Sequence, residues 1–359
     1  VPSTKEEKLV KQNYKYFYDK ISSQLKSFSE NSKKIEYLQN LRKKIHALPV
    51  IKIEIKSEDD AYEIFETTNA RGIDLSVADL LKNVIFNKLR DTDEKDIAKE
   101  YWDEIVSNIQ GTNTELKKYI RYFWISTYPL VPEKKLFKTI KNTITDWEKL
   151  LFDLHEASKW YEKLVVGNLD AWDDIKSGDH IFKSLRALRI MNVSQCYVLF
   201  LSIFRNFDKL GTDPKRVFKW VENFSFKYSA ICKLPGNKLE KIYSSYARKL
   251  EKAINENKDI HKKVQVIFEE FKKELKQEEP GIEQFKEAFS EVSYGRSETN
   301  RHLCKYILDK INNLDQPSEF DFTSVNIEHL LPQKPDKEWG LKTKDIKPYV
   351  NKLVNLTIL

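Results

Sequence analysis

The chain of 359 residues is poor in the residues that make loops, with 9 glycines and 11 prolines. So few backbone breakers exclude a loop-rich β-sandwich and favour long helices. Cysteine is scarcer still. Cys196, Cys232 and Cys304 stand far apart with no CxxC pair. That spacing excludes a disulfide framework and a zinc site built on local cysteine pairs, and it points to a reducing cytoplasm. The longest apolar run, 196–204, is too short to cross a bilayer, so no membrane partner is expected, and no signal-peptide pattern opens the chain. A glycine-rich phosphate loop and a Ser-His-Asp arrangement are both missing. His46, His155, His180, His261 and His302 are scattered without ligand spacing and read as ordinary core or surface histidines.

What is present is apolar residues at 40% and charge at 33%. That is ample for real cores under a strongly hydrated surface. Lys and Arg exceed Asp and Glu by 62 to 55, a net charge of +7 that permits a polyanion partner without demanding one. Residues 5–47 read as one or two helices with a basic face that includes Lys33, Lys34, Arg42, Lys43 and Lys44. Pro49 breaks the pattern, and Val50 to Ile55 alternates as a short strand does. Ser57 then caps a helix that ends at Asn69-Ala70-Arg71-Gly72. Ser76 opens another, with Val77, Leu80, Leu81, Val84, Ile85 and Leu89 as its buried stripe. From 97 to 280 helical spacing continues, broken near Gly111, Pro129 to Pro132, Gly167, Gly211 to Pro214 and Pro235-Gly236. Lys272 to Pro280 reads as a charged surface connection. A last helix over 297–312 gives way to a strand through Phe320, Phe322, Val325 and Ile327 and a second over 353–359.

The fold class expected is therefore mainly α: a multi-helix domain with a short N-terminal strand element and a C-terminal β-hairpin. Three segments follow, 1–96, a helical middle over 97–280, and 281–359. The start at Val1, the single Met191 and the apolar ending Val354 to Leu359 read as cuts at both ends of a longer protein.

The sharpest chemical signal is Asn326-Ile327-Glu328-His329-Leu330-Leu331-Pro332-Gln333. A neutral imidazole can take a proton from water near pH 7. A neighbouring carboxylate can hold a hard divalent cation that stabilises charge on a scissile phosphate. On spacing alone, a surface Glu-His pair at a strand end is the competing reading. Basic and aromatic residues interleave at Lys117-Lys118-Tyr119-Ile120-Arg121-Tyr122-Phe123-Trp124 and at Arg216-Val217-Phe218-Lys219-Trp220. Lys117, Lys118 and Arg121 are candidates for a DNA backbone. Helical spacing offers the alternative that the aromatics face the core and the cations face water.

The stretch Ile327 to Gln333, followed by Trp339 and by Leu353-Val354-Asn355-Leu356-Thr357-Ile358-Leu359, resembles the C-terminal HNH-like (His-Me finger) domain of GmrSD-type restriction proteins. The resemblance implies an incomplete ββα-metal finger. In it His329 is the general base, Glu328 the metal-side acid toward Mg²⁺ or Mn²⁺, and Asn355 the brace of the loop that carries His329. Val354 stands where that family has glycine. The family's helix with the second metal ligand would follow Leu359, so the fragment is expected to be inactive alone.

A second resemblance runs from Tyr62 through Phe65-Glu66-Thr67-Thr68-Asn69-Ala70-Arg71-Gly72 to Asp79-Leu80-Leu81-Lys82-Asn83. It is similar to the signature of the family's companion domain, which has a ParB/sulfiredoxin-like fold and is linked to nucleotide hydrolysis or nucleic-acid sensing. That domain's D-G-Q-Q-R motif would lie upstream of Val1, so a nucleoside triphosphate site would fall mostly outside this chain. Asn69, Arg71 and Lys82 then either bind a nucleotide or phosphate, or serve as turn formers and ion-pair partners. The combined expectation is a modification-dependent (type IV) restriction endonuclease acting on modified foreign DNA, with a homo-oligomer left open. The alternative is a DNA-binding or regulatory helical protein with a degenerate nuclease domain.

Overall fold

The computed structural model describes residues 5–49, 77–89, 95–295, 297–312 and 326–358. The expected strand at 50–55, the helix through 57–72 with Asn69 and Arg71, and the strand residues Phe320, Phe322 and Val325 lie outside the described residues. The chain divides into two units, Val1–Arg71 and Gly72–Leu359.

In the first unit, α1 (Lys5–Lys26) and α2 (Asn31–His46) meet where the Phe28 and Tyr37 rings lie 5.7 Å apart. α2 contains no fully buried residue.

The second unit is a helical body. α3 (Val77–Lys88) buries Val77, Ala78, Leu81 and Ile85, with Leu89 just beyond it; Leu80 and Val84 are half-buried. α4 (Lys95–Gln110) packs along α7 (Trp147–Val166), and α5 (Leu116–Thr127) and α6 (Leu136–Thr143) come between them in sequence. α7 starts where Asp146 accepts a hydrogen bond from the Lys149 amide at 2.9 Å, which satisfies an otherwise unpaired donor of the first turn. It stops at Gly167, where a Cβ would stand 2.4 Å from the Lys163 carbonyl oxygen.

α8 (Gly178–Ile190) leads to α9 (Tyr197–Arg205), whose residues from Tyr197 to Phe204 are all buried. A helix apolar on every side must be covered on every side. α5, α7 and α11 (Asn237–Asn255) cover it. α12 (Ile260–Glu278) runs through most of the segment that composition marks as a surface connection. Apolar spacing outweighs charge there: Val264, Ile267, Phe268, Phe271 and Leu275 keep one buried stripe going between the lysines and glutamates.

Two features tie the C-terminal segment to this body. α10 (Lys215–Ser225) runs on into a π-helical turn over Phe226–Ile231. Phe226 in that turn meets Phe285 and Phe289 of α13 (Ile282–Ser290) and Tyr306 of α14 (Glu298–Asn312), at ring separations of 6.2, 6.4 and 5.9 Å. The second tie is Glu222 of α10, whose side chain is 1% exposed. It accepts hydrogen bonds from Ser184 Oγ and Tyr306 OH, both at 2.8 Å, and faces Lys219 Nζ at 3.0 Å and Lys310 Nζ at 3.4 Å. One carboxylate therefore joins α8, α10 and α14.

α14 in turn packs on a two-stranded antiparallel hairpin of β1 (Ile327–His329) and β2 (Leu356–Ile358), in the register Ile327↔Ile358, Glu328↔Thr357 and His329↔Leu356. Between the strands lies α15 (Thr343–Ile346), a single turn. Cys304, Ile307, Ile346, Val350 and Leu356 are the buried apolar residues of this end. Residues 353–355 form a 3-10 turn, so the second strand is shorter than its alternating pattern suggests.

Burial pushes the Glu222 carboxyl up, but Lys310, Lys219, Tyr306 and Ser184 outweigh it and hold the group below the usual carboxylate range. Its contribution to stability is therefore complete above the unfolded value near 4.5 and is lost as pH falls through the lower folded value. Glu222→Ala orphans the Tyr306 and Ser184 hydroxyls, and is expected to cost on the order of 3 kcal/mol in denaturant unfolding at neutral pH. It should also flatten the acid limb of the stability curve. An unchanged midpoint would remove this carboxylate from the tie between the helical body and α14.

Candidate nuclease site

The site is assembled by three short pieces of chain. The first is the end of β1. Alternation along the strand leaves Glu328 exposed, while His329, half-buried, meets the Tyr294 ring edge-on at 6.0 Å and 79°. The second is the segment before β2. The Asn355 amide hydrogen-bonds backbone on both sides of the loop. Its Oδ1 accepts from the Leu331 amide at 2.7 Å, and its Nδ2 donates to the Leu331 carbonyl at 3.1 Å and the Val350 carbonyl at 2.8 Å. The Leu330 amide donates to the Asn355 carbonyl at 2.9 Å. A short primary amide can satisfy a donor and an acceptor of the same peptide strand at once, which an aspartate or leucine there cannot. The third piece follows α13. The Tyr294 amide donates to the Asn351 carbonyl at 2.7 Å, and Ser293 and Lys352 form an isolated antiparallel bridge. This lateral pairing brings Tyr294 against His329.

The imidazole has two amide neighbours. Nε2 of His329 lies 3.1 Å from Asn351 Oδ1 and 3.2 Å from Gln333 Nε2. One ring nitrogen cannot donate and accept in the same plane at the same moment. With Nε2 unprotonated, Gln333 donates to it; with Nε2 protonated, Asn351 Oδ1 accepts from it. Either protonation state of the ring has a partner, so gaining a proton need not swing it out of place. Gln333 and Asn351 also form one wall of an open cleft of about 650 Å³, completed by Tyr294, Gly295, Arg301, Ile346, Lys347 and Val350.

The structure thus brings His329 and Asn355 to the same loop junction. Glu328 takes part in none of these contacts and has no partner among the described residues. Among the described residues no three His, Cys, Asp or Glu side chains cluster closely enough to cage a metal ion. A hard cation of the Mg²⁺ type binds through one or two carboxylates and takes its remaining ligands from water and substrate phosphate. The exposed Glu328 carboxylate is the right kind of donor for that. Asn351 and Tyr294 carry no sequence signal of their own. Gln333 does, as the last residue of the motif around His329.

The other candidates fall elsewhere. Lys82, half-buried on α3, lies over the Phe86 ring at 5.4 Å. In α5 the aromatics Tyr119, Tyr122, Phe123 and Trp124 are buried. The cations beside them are engaged within the fold. Lys117 pairs with Glu115 and Glu133 at 3.2 and 3.3 Å, and both carboxylates hold its ammonium above the ordinary lysine value. Arg121 makes a two-pronged pair with Glu240, which raises the guanidinium against the opposing effect of burial. Lys118 lies over the Tyr122 ring at 5.5 Å and reaches Ser194 Oγ at 3.4 Å. Among the described residues no helix is long and apolar enough to cross a membrane.

Comparison with known families gives two matches, one at each end. Residues 2–86 match the N-terminal domain of the GmrSD restriction endonuclease, and residues 279–359 match the C-terminal domain of GmrSD restriction endonucleases. No curated protein matches the chain. The C-terminal match takes in α13, α14 and the whole hairpin with His329, and the N-terminal match takes in α1, α2 and most of α3. These two domain matches, in that order, support a GmrSD-type restriction endonuclease, a protein of the class that cuts DNA.

Proposed function

We propose that the C-terminal segment is a metal-dependent phosphodiesterase site on DNA, in which His329 is the general base. The observation that carries this reading is the setting of His329 Nε2. It lies between an amide donor at 3.2 Å and an amide acceptor at 3.1 Å, both of which line an open cleft, at the start of a loop clamped by Asn355. A water taking the place of Gln333 at Nε2 could give up its proton there as its oxygen bonds to phosphorus and the P–O bond to the leaving strand breaks, the leaving oxygen taking a proton from solvent. Asn351 Oδ1 could then accept from the new N–H. Asn355 acts through the backbone it holds and so is a positioning residue. Glu328 would hold a divalent cation, Mg²⁺ or Mn²⁺. When bound, that ion would neutralise charge on the phosphate under attack. The substrate proposed is modified foreign DNA, with the N-terminal domain contributing recognition of DNA or of a nucleotide.

A plasmid-nicking assay of the full-length protein on modified and unmodified DNA with Mg²⁺ or Mn²⁺ tests the reading. His329→Ala should lower cleavage at least 10²-fold, the usual scale of a lost general base, and leave DNA binding in place. Undiminished cutting by that variant would remove the base assignment. Glu328→Gln should raise the metal concentration needed for half-maximal cleavage while sparing metal-free DNA binding; an unshifted metal titration would take the ion away from residue 328. Asn355→Ala unties the amide and carbonyl of Leu331 together, so kcat should fall with little change in KM. A pure KM effect would assign Asn355 to the substrate instead of the loop.

A further inference from the structure

The cleft beside His329 holds two cations that the hydrolytic chemistry does not use. Arg301 lies in the first turn of α14, and Lys347 follows the single turn of α15. Both side chains are exposed, both line the cleft, and neither has a carboxylate partner among the described residues. That sets them apart from cations nearby, since Lys310 is drawn to Glu222 at 3.4 Å and Lys352 to Glu291 at 2.7 Å. The lining around them is neutral: the Tyr294 ring, the amides of Gln333 and Asn351, and the apolar Ile346 and Val350. Among the described residues no acid lines this concave site, and two cations without a carboxylate partner there attract an anion. The field is reinforced by the loop itself, where Lys334, Lys337, Lys342, Lys344, Lys347 and Lys352 stand against Asp336, Glu338 and Asp345, six positive charges to three negative.

The geometry points to Arg301 and Lys347 as a phosphate-binding pair that seats a DNA backbone phosphate next to the one attacked at His329. This inference rests on the proposed nuclease site and deepens it, because Gln333 and Asn351 belong both to the cleft wall and to the surroundings of His329 Nε2. The planar guanidinium can grip two oxygens of one phosphate, and the ammonium supplies a mobile point charge. Two cations flanking the base would fix which phosphodiester reaches it. A free nucleoside triphosphate offers the same chemical group. A continuous backbone is favoured because the cleft opens beside the general base.

The test is binding of this chain to a fluorescein-labelled DNA duplex, followed by anisotropy over a series of salt concentrations. Each lost phosphate contact lowers the slope of log affinity against log salt by about 0.9, so Arg301→Ala with Lys347→Ala should lower it by about two. Arg301→Lys with Lys347→Arg should restore it. Lys337→Ala with Lys344→Ala removes the same charge from the loop that carries Lys347, outside the cleft lining, and should change the slope less. An equal drop in both pairs would show a diffuse field and overturn the site, as would an unchanged slope in the cleft pair or no duplex binding by the unaltered chain. Binding of a nucleoside triphosphate that the cleft pair alone abolishes, with the duplex slope unmoved, would give the cleft to a free nucleotide and overturn the assignment to DNA. The nuclease reading fails separately: cleavage that survives His329→Ala sinks the base but leaves the salt slopes standing.

Discussion

Three hydrogen bonds from one amide hold the loop that leaves β1. Asn355 receives the Leu331 N–H and donates to the carbonyls of Leu331 and Val350, so the chain after His329 and the chain before β2 cannot drift apart without leaving partly buried backbone groups unpaired. A two-stranded ribbon of three residues per strand is too short to be stable by itself. The side-chain clamp, the buried Leu356 and the cover of α14 supply what the ladder lacks. The setting of His329 follows from that fixed loop: its edge-on contact with Tyr294, its two amide neighbours and the cleft those amides line.

The clamp is useful only if the hairpin has a rigid support. The helical body provides it through α14, held by Glu222 from below and by the Phe226 ring cluster from the side. The two ties differ in physics. Stacked and edge-on aromatic contacts are non-polar and tolerate small shifts, whereas a buried carboxylate with four polar neighbours requires each of them to stay in place. The π turn over Phe226–Ile231 opens at Phe226, the residue whose ring meets α13 and α14.

Much of the helical body was legible from spacing alone. The breaks at Gly111, Gly167 and Pro235-Gly236 coincide with helix ends, and the stripe of α3 is buried at Val77, Leu81 and Ile85 as its period requires. Where charge and apolar period disagreed, over 272–278, the period prevailed, because a helix needs only one covered face and can leave its lysines and glutamates in water. The interleaved aromatic and basic stretch of α5 shows the same division, with rings in the core and cations paired at the surface.

The site divides along a different line. By itself the sequence determined that Glu328 and His329 end a strand and that a second strand follows near the end of the chain, because these are local patterns carried by residues close in the chain or by a family signature. The pattern put Asn355 inside that second strand, whereas the structure sets it in the turn just before. Only the tertiary structure decided that Asn351 and Gln333 flank the imidazole, that the Tyr294 ring stands edge-on to it, and that Arg301 and Lys347 share the cleft. These residues come from α14, from the segment after α13 and from a loop of more than twenty residues. No periodicity links them. They meet because β1 pairs with β2 across that loop and α14 packs on the pair, and long-range packing of that kind leaves no mark in the order of residues.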